Sequence, residues 1–347
     1  ASFLNALVAG TADTVSLSLT NNAIAHFNVG GATPAREFDV INLSSTAATL
    51  NTLSAIQRTD SNALTKKVAL NVTGDANLTI TTLAAGAKSS IDASAFTGVL
   101  KVTTTANIDT VTGGSGNDTI TIGTALAGVA APETFDGGAG DDTIVIGFGI
   151  AATDLSNANA FGGVHSYTAE TLNYKGPSAA VDEAIDISAI TGATTLEIDP
   201  FAADADADLD ITTVTNIVGQ TIVIDHATTG GAASSTTGTS VSLALKTATG
   251  AADSIDITLK NTTTASELGV LTTAANIETV NITSSGGKAY QVASPVMTGA
   301  KTLNLLGAQD LLLGTEIVTN LAASTAAANS VINASALTGK LTIGSAA

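Results

Sequence analysis

Cysteine and tryptophan are absent from this chain, and methionine occurs once. Without cysteine there is no disulfide framework, no thiolate metal site and no thiol nucleophile. Aromatic residues make up 3% of the sequence, too few to furnish stacking platforms for sugars. Basic residues are also scarce: 12 Lys and Arg stand against 30 Asp and Glu in 347 residues, a formal net charge of −18. Nucleic acid and anionic lipid both need a basic surface, so neither is expected as a partner, whereas divalent cations are favoured. Mean hydropathy is +0.37, yet no apolar run approaches the roughly 18 residues of a membrane span, and membrane insertion is not expected.

Catalytic signatures are missing as well. The sequence contains no G-x-S-x-G elbow, no Walker loop and no dinucleotide fingerprint. His26, His165 and His226 are widely separated and belong to no H-E-x-x-H motif, which disfavours zinc and general-base chemistry. The expectation is a non-enzyme with no catalytic residue.

Alanine, threonine, glycine and asparagine dominate instead. Small and β-branched residues without aromatics suit tightly stacked, repetitive sheets. Asp13–Leu19, Val68–Val72, Leu78–Leu83, Leu100–Thr104, Thr221–Asp225, Val241–Leu245 and Ile255–Leu259 alternate apolar with polar residues and read as strands. Ala47–Gln57, Thr263–Leu271 and Glu316–Ala328 read as short helices. The fold expectation is all-β: repeated β modules, solenoid or sandwich, around one short glycine-rich roll.

That roll lies in Gly113–Val145. Gly113-Gly114-Ser115-Gly116-Asn117-Asp118-Thr119-Ile120-Thr121 and Gly137-Gly138-Ala139-Gly140-Asp141-Asp142-Thr143-Ile144-Val145 both fit G-G-x-G-x-D-x-U-x at every defined position, with U a bulky apolar residue. The glycines permit φ > 0 and gather carbonyls in one tight turn, and the aspartate adds a charged oxygen beside them. One such turn offers part of the six-to-eight-oxygen shell of a hard cation, and two stacked turns can complete it. The two motifs are offset by 137 − 113 = 24 residues, so Thr124–Glu133 is expected to bulge from the coil.

These nonapeptides resemble the calcium-binding β-roll of RTX proteins, which Gram-negative bacteria export by type I secretion. Regular rolls of that family repeat every eighteen residues, so this array is short and irregular. The resemblance implies Ca²⁺ at Asp118 and Asp142, with Gly114, Gly116, Asn117, Gly138, Gly140 and Asp141 in the ligating turns.

The chain also repeats itself. Ala12–Asn21 matches Ala252–Asn261 at an offset of 240, and Ile91–Gly98 (I-D-A-S-A-F-T-G) matches Ile332–Gly339 (I-N-A-S-A-L-T-G) at 241. A third such phrase occupies Ile185–Gly192. The reading is a duplicated module, about 12–104 and 252–344. Four domains are expected: a β module at 1–104, the calcium roll at 105–149, a middle β module at 150–250, and a repeat of the first at 251–347.

Asp204, Asp206, Asp208 and Asp210 form a D-x-D-x-D-x-D run. In a strand, alternate carboxylates about 6.6–7 Å apart repel by roughly 0.6 kcal/mol in water and about 2.4 kcal/mol at an effective dielectric of 20. Such a run needs either a cation or a solvated loop, and both readings stand. Leu209 and Thr215 occupy positions that an EF-hand gives to glycine and glutamate, so it is not one. Asp13 and Asp253, in G-x-A-D-[ST], read as degenerate calcium turns or as capped strand starts.

The I-D-x-S-A-x-T-G phrases together with the nonapeptides resemble RTX-type surface-layer proteins. That resemblance implies an extracellular, cell-surface location and self-association of identical subunits into a calcium-dependent lattice. Cell-surface polysaccharide would be bound through another part of a longer parent protein. Alternatives are stalk modules of an RTX adhesin and the non-catalytic roll of a secreted hydrolase. The ends, Ala1-Ser2-Phe3 and Gly344-Ser345-Ala346-Ala347, read as those of a fragment or processed product whose parent continues into another calcium-binding array.

Overall fold

A computed structural model describes residues 13–20, 23–28, 38–47, 49–57, 67–83, 89–104, 108–122, 134–146, 166–174, 183–187, 192–198, 209–225, 238–250, 252–261, 266–314, 317 and 330–344. The chain divides into two compact units. Unit 1 is Ala1–Ile150, Gly163–Leu172 and Ile190–Ala193; unit 2 is Ala151–Gly162, Asn173–Ala189 and Thr194–Ala347.

The strands of unit 1 begin with β1 (Thr14–Thr20), β2 (Ala23–Asn28), β3 (Val40–Thr46), β4 (Leu50–Gln57), β5 (Ala69–Gly74), β6 (Asn77–Leu83) and β7 (Ser89–Phe96). They continue with β8 (Leu100–Thr104), β9 (Ile108–Thr112), β10 (Thr119–Ile122), β11 (Thr134–Asp136), β12 (Thr143–Ile146) and β13 (Ser166–Thr168). β14 (Thr171–Tyr174) belongs in part to each unit. Unit 2 holds β15 (Glu183–Asp186), β16 (Thr195–Ile198), β17 (Leu209–Ile217), β18 (Thr221–Asp225), β19 (Gly238–Leu245), β20 (Ser254–Asn261) and β21 (Ser266–Thr273). It ends with β22 (Thr279–Gly286), β23 (Tyr290–Val296), β24 (Thr302–Gly307), β25 (Leu311–Leu313), β26 (Val331–Leu337) and β27 (Leu341–Ile343).

Within each sheet, strands pair in parallel with the next but one in sequence: β1 with β3, β3 with β5, β8 with β10, β20 with β22. Odd strands build two seven-stranded sheets, β1 to β13 and β15 to β27, and even strands build a thirteen-stranded one. Consecutive strands therefore lie in opposite sheets, and two strands make one coil. This is a parallel β-solenoid, which resolves the choice between solenoid and sandwich.

In-register stacking turns alternation along each strand into columns across the coils. Val15, Ile41, Leu70, Ile91, Val111 and Phe135 succeed one another at one register position, all buried. Ile222, Ile257, Ile282 and Leu305 form the corresponding column in unit 2. Each fully buried Leu or Ile contributes about 1.5–3 kcal/mol relative to exposure. The outward faces stack too. Asn281 Nδ2 donates to Asp256 Oδ1 at 2.7 Å, Asn304 Nδ2 to Asn281 Oδ1 at 2.8 Å, and Asn333 Nδ2 to Asn304 Oδ1 at 3.1 Å. An amide carries both donor and acceptor, so asparagine is its own partner in such a column.

The sequence repeat is also a repeat of hydrogen bonds. Asp13 N–H donates to Asp39 Oδ2 at 3.0 Å, and Asp253 N–H to Glu278 Oε2 at 3.1 Å. Thr97 N–H bonds Gly74 O at 2.9 Å, and Thr338 N–H bonds Gly307 O at 2.8 Å. Ser45 Oγ donates to Ala76 O at 2.7 Å, and Ser284 Oγ to Gln309 O at 2.8 Å.

Two of the three expected helices are strands. Ala47–Gln57 contains β4, and Thr263–Leu271 overlaps β21. In both, leucines three apart mimic a helical face: Leu50 and Leu53, Leu268 and Leu271. Leu50 is 53% exposed while Leu53 is buried, and pairing with β2 and β6 fixes β4 as a strand. Of Glu316–Ala328, only the buried Ile317 is among the described residues.

Strand β4 depends on a polar contact. The buried Asn51 amide donates to Leu19 O at 3.3 Å and to Ser45 Oγ at 2.8 Å. Asn51→Ala is expected to lose roughly 1–3 kcal/mol, the cost of leaving buried acceptors unpaired. Urea unfolding should show a lower midpoint at unchanged slope.

A candidate metal centre in the glycine-rich turns

The two nonapeptide turns join β9 to β10 and β11 to β12, and they stack on one another. Thr119 pairs with Thr143 and Ile120 with Ile144, so a separation of 24 residues still brings Asp118 and Asp142 to the same position of adjacent coils. Gly114 O accepts Ala139 N–H at 2.9 Å, and Asn117 Oδ1 accepts Asp141 N–H at 3.2 Å. Thr124–Glu133, expected to bulge out between them, lies outside the described residues.

Each carboxylate faces the coil before its own. Asp118 Oδ1 accepts Leu100 N–H at 2.8 Å, and its Oδ2 accepts Gly114 N–H at 2.7 Å. Asp142 Oδ1 accepts Asp118 N–H at 2.8 Å. Asp142 N–H in turn donates to Glu170 Oε2 at 2.8 Å, and Thr171 N–H to Asp142 O at 3.0 Å. Asp118, Asp142 and Glu170 thus form one column of carboxylates. Glu170 was not singled out from sequence, although Glu170-Thr171-Leu172 repeats the acidic–Thr–apolar signal of Asp118-Thr119-Ile120 and Asp142-Thr143-Ile144.

The glycines make room for this column. A Cβ on Gly137 would lie 2.5 Å from Asp142 Oδ2, and one on Gly113 would lie 2.7 Å from Asp118 Oδ2. Gly138 has φ of 98°, in the left-handed region that only glycine adopts readily.

Asp118 is 1% exposed and Asp142 2%. Burial raises the carboxyl pKa of Asp118, against the N–H groups of Leu100 and Gly114, which lower it. Burial also raises that of Asp142, against the Asp118 N–H; repulsion from Asp118, Glu170 and Asp136 raises it further.

Asp142 Oδ2 is buried with no hydrogen-bond partner. A carboxylate oxygen in that state needs a proton or a cation. The residues present therefore fit a hard cation beside Asp142. Both oxygens of Asp118 already accept N–H groups, though each retains a second lone pair. Among the described residues, no cluster of three or more His, Asp or Glu is arranged around a metal position. Any remaining ligands would be turn carbonyls and Asn117.

The other candidates are distributed differently. Asp204, Asp206 and Asp208 lie outside the described residues, and Asp210 stands in β17 opposite Thr239. Asp13 and Asp253 precede β1 and β20, each with its N–H capped by an acid of the next coil. There Glu278 also meets Lys301, with Oε1 3.7 Å from Nζ. His26 lies in β2, and His165 and His226 are outside the described residues. No known family model matches the chain, and no curated protein or solved structure is detectably similar to it.

A raised carboxyl pKa stabilises the fold below the ordinary carboxylate range, and that stability is lost as pH rises through the raised value. In calcium-free buffer, the contribution of Asp118 and Asp142 should therefore fall as pH rises above the ordinary carboxylate range, about 4. Asp142→Asn keeps an acceptor for Asp118 N–H and removes the charge. Thermal scans against pH should show a shallower loss for this variant than for the parent, and a higher midpoint at neutral pH.

Proposed function

We propose that this chain is a non-catalytic structural module of a calcium-dependent, self-assembling bacterial surface layer or related extracellular sheet, exported by type I secretion. The observation that carries the reading is the pair of buried carboxylates Asp118 and Asp142 in stacked glycine-rich turns, continued by the half-buried Glu170, with one Asp142 oxygen unsatisfied. The carboxylate of Asp142, supported by carbonyls of the Gly113–Asp118 and Gly137–Asp142 turns, would hold Ca²⁺. The ion supplies divalent positive charge that neutralises the column. The chain's own groups fix the geometry: Asp118 N–H orients the Asp142 carboxylate, and Leu100 and Gly114 N–H orient that of Asp118. The partners proposed are identical subunits, with polysaccharide bound elsewhere in a longer parent. The solenoid fold, rich in stacked polar columns and poor in basic charge, supports a scaffold role.

Extracellular calcium modules bind with Kd of about 10⁻⁴–10⁻³ M, so ~1 mM calcium adds roughly 0.4–1.4 kcal/mol per independent site. Chelation should lower the unfolding midpoint, and Asp142→Ala should reduce the calorimetric calcium stoichiometry, by about one ion. Magnesium, which yields its waters reluctantly, should substitute poorly. Electron microscopy should show ordered sheets with calcium and none with sodium alone. A midpoint indifferent to chelation would remove the basis for calcium, and isolated rods in calcium would favour an adhesin stalk.

A further inference from the structure

We propose that Asp136 is the positioning residue that makes the second nonapeptide turn a cation site and leaves the first turn without one, by holding the Gly138 N–H away from Asp142. The inference takes the identity of the ion from the calcium reading above. The exchange of hydrogen bonds that it describes does not depend on that reading.

The two turns match at every defined position of the nonapeptide and lead into strands paired in register, so each is a control for the other. In the first, Asp118 Oδ2 accepts Gly114 N–H at 2.7 Å and Oδ1 accepts Leu100 N–H at 2.8 Å. Both oxygens of that carboxylate have a donor. The corresponding donor of the second turn is Gly138 N–H, but it goes to Asp136 Oδ1 at 3.1 Å. Asp142 Oδ1 keeps the Asp118 N–H at 2.8 Å, and Oδ2 is left buried with no partner. The backbone has turned with the donor: Gly138 stands at φ 98°, whereas Gly114 is not left-handed. What precedes the glycines explains the difference. Asp136 pairs with Thr112 in the sheet, and each stands directly before its Gly-Gly. An aspartate readily bonds the backbone N–H two residues on, and a threonine does so more weakly. Asp136 therefore captures Gly138 N–H, while Thr112 leaves Gly114 N–H to Asp118.

Without a ligand this exchange is unfavourable. It moves a donor from a buried carboxylate to a half-buried one and strips an oxygen of a group that is 2% exposed. The stripped oxygen lies over Gly137, where a Cβ would come within 2.5 Å of it. Asp136, next to Gly137, brings a second carboxylate into the same turn, so the group that fits is a cation. Asp118 has no stripped oxygen. The two aspartates that look equivalent in sequence therefore divide the work: Asp118 caps a strand, and Asp142 is the ligand.

The test compares Asp136→Thr, which copies the first turn, with Asp136→Asn. Both remove the charge beside Asp142, but asparagine keeps an acceptor for Gly138 N–H. In chelator, Asp136→Thr should unfold about 2 °C or more above Asp136→Asn, because Gly138 N–H returns to Asp142. The Gly138 amide should then exchange with deuterium about tenfold or more slowly than in Asp136→Asn. In calorimetric titration with calcium, Asp136→Asn should keep the parent's stoichiometry and Asp136→Thr should lose about one ion. Equal midpoints or equal Gly138 exchange in the two variants would overturn the proposal. So would an Asp136→Thr stoichiometry equal to the parent's. A parent that binds no calcium would remove the ion from the proposal together with the calcium reading, and the comparison in chelator alone would then decide whether Asp136 diverts Gly138.

Discussion

The described structure depends on parallel coils stacked in register along most of their strands, with local shifts at β5–β7, β6–β8, β7–β9, β17–β19 and β24–β26. Adjacent strands lie about 4.7–4.9 Å apart, so where register is kept a side chain faces the equivalent side chain of the neighbouring coil. A residue is then compatible with the fold only if its type can stack on its neighbour. Apolar β-branched residues satisfy this in the interior, as in the column from Val15 to Phe135. Amides satisfy it on the surface, as in Asn281, Asn304 and Asn333.

Carboxylates are the residues that cannot tile. Two of them about 4.8 Å apart repel by roughly 0.9 kcal/mol in water and roughly 3.5 kcal/mol at an effective dielectric of 20. The molecule answers this in different ways at different corners. Lys260 Nζ stands 3.2 Å from Glu197 Oε1 and 2.9 Å from Asp225 Oδ2, and the Asp253–Glu278 pair is followed by Lys301. In the Asp118–Asp142–Glu170 column, backbone N–H groups take that part, and they reach every oxygen of the two aspartates except Asp142 Oδ2.

What could be read in advance follows the same division. Alternation located the strands, with Leu100–Thr104 and Thr221–Asp225 matched to the residue, because a half-buried strand has period two in any sheet. For that reason alternation could not distinguish a coil from a sandwich, which depends on whether a strand pairs with its neighbour or with the next but one. The β4 segment was misread because Leu50 and Leu53 satisfy a helical spacing, while the signal for a strand lies in Asn51, whose partners Leu19 and Ser45 are remote in sequence. The nonapeptide aspartates were legible as a pair. Glu170 was not, since its turn lacks the glycines and only the acidic–Thr–apolar triplet remains.

That triplet links the turns with the duplicated modules. Asp13-Thr14-Val15, Asp118-Thr119-Ile120, Asp142-Thr143-Ile144, Asp253-Ser254-Ile255 and Glu278-Thr279-Val280 all place an acid immediately before a strand. In five cases among the described residues an acid just before a strand caps a backbone N–H of the preceding coil: Asp39 with Asp13, Asp118 with Leu100, Asp142 with Asp118, Glu170 with Asp142, and Glu278 with Asp253. The acid therefore has a structural role before any question of metal arises, terminating the turn and fixing the start of the next strand. What distinguishes the nonapeptides is the glycine run in front of it, which draws the turn in until the carboxylate is buried. Under Gly113 and Gly137 the carboxylates of Asp118 and Asp142 are almost wholly withdrawn from water. Burial by glycine converts an ordinary strand cap into a site that demands a counter-charge.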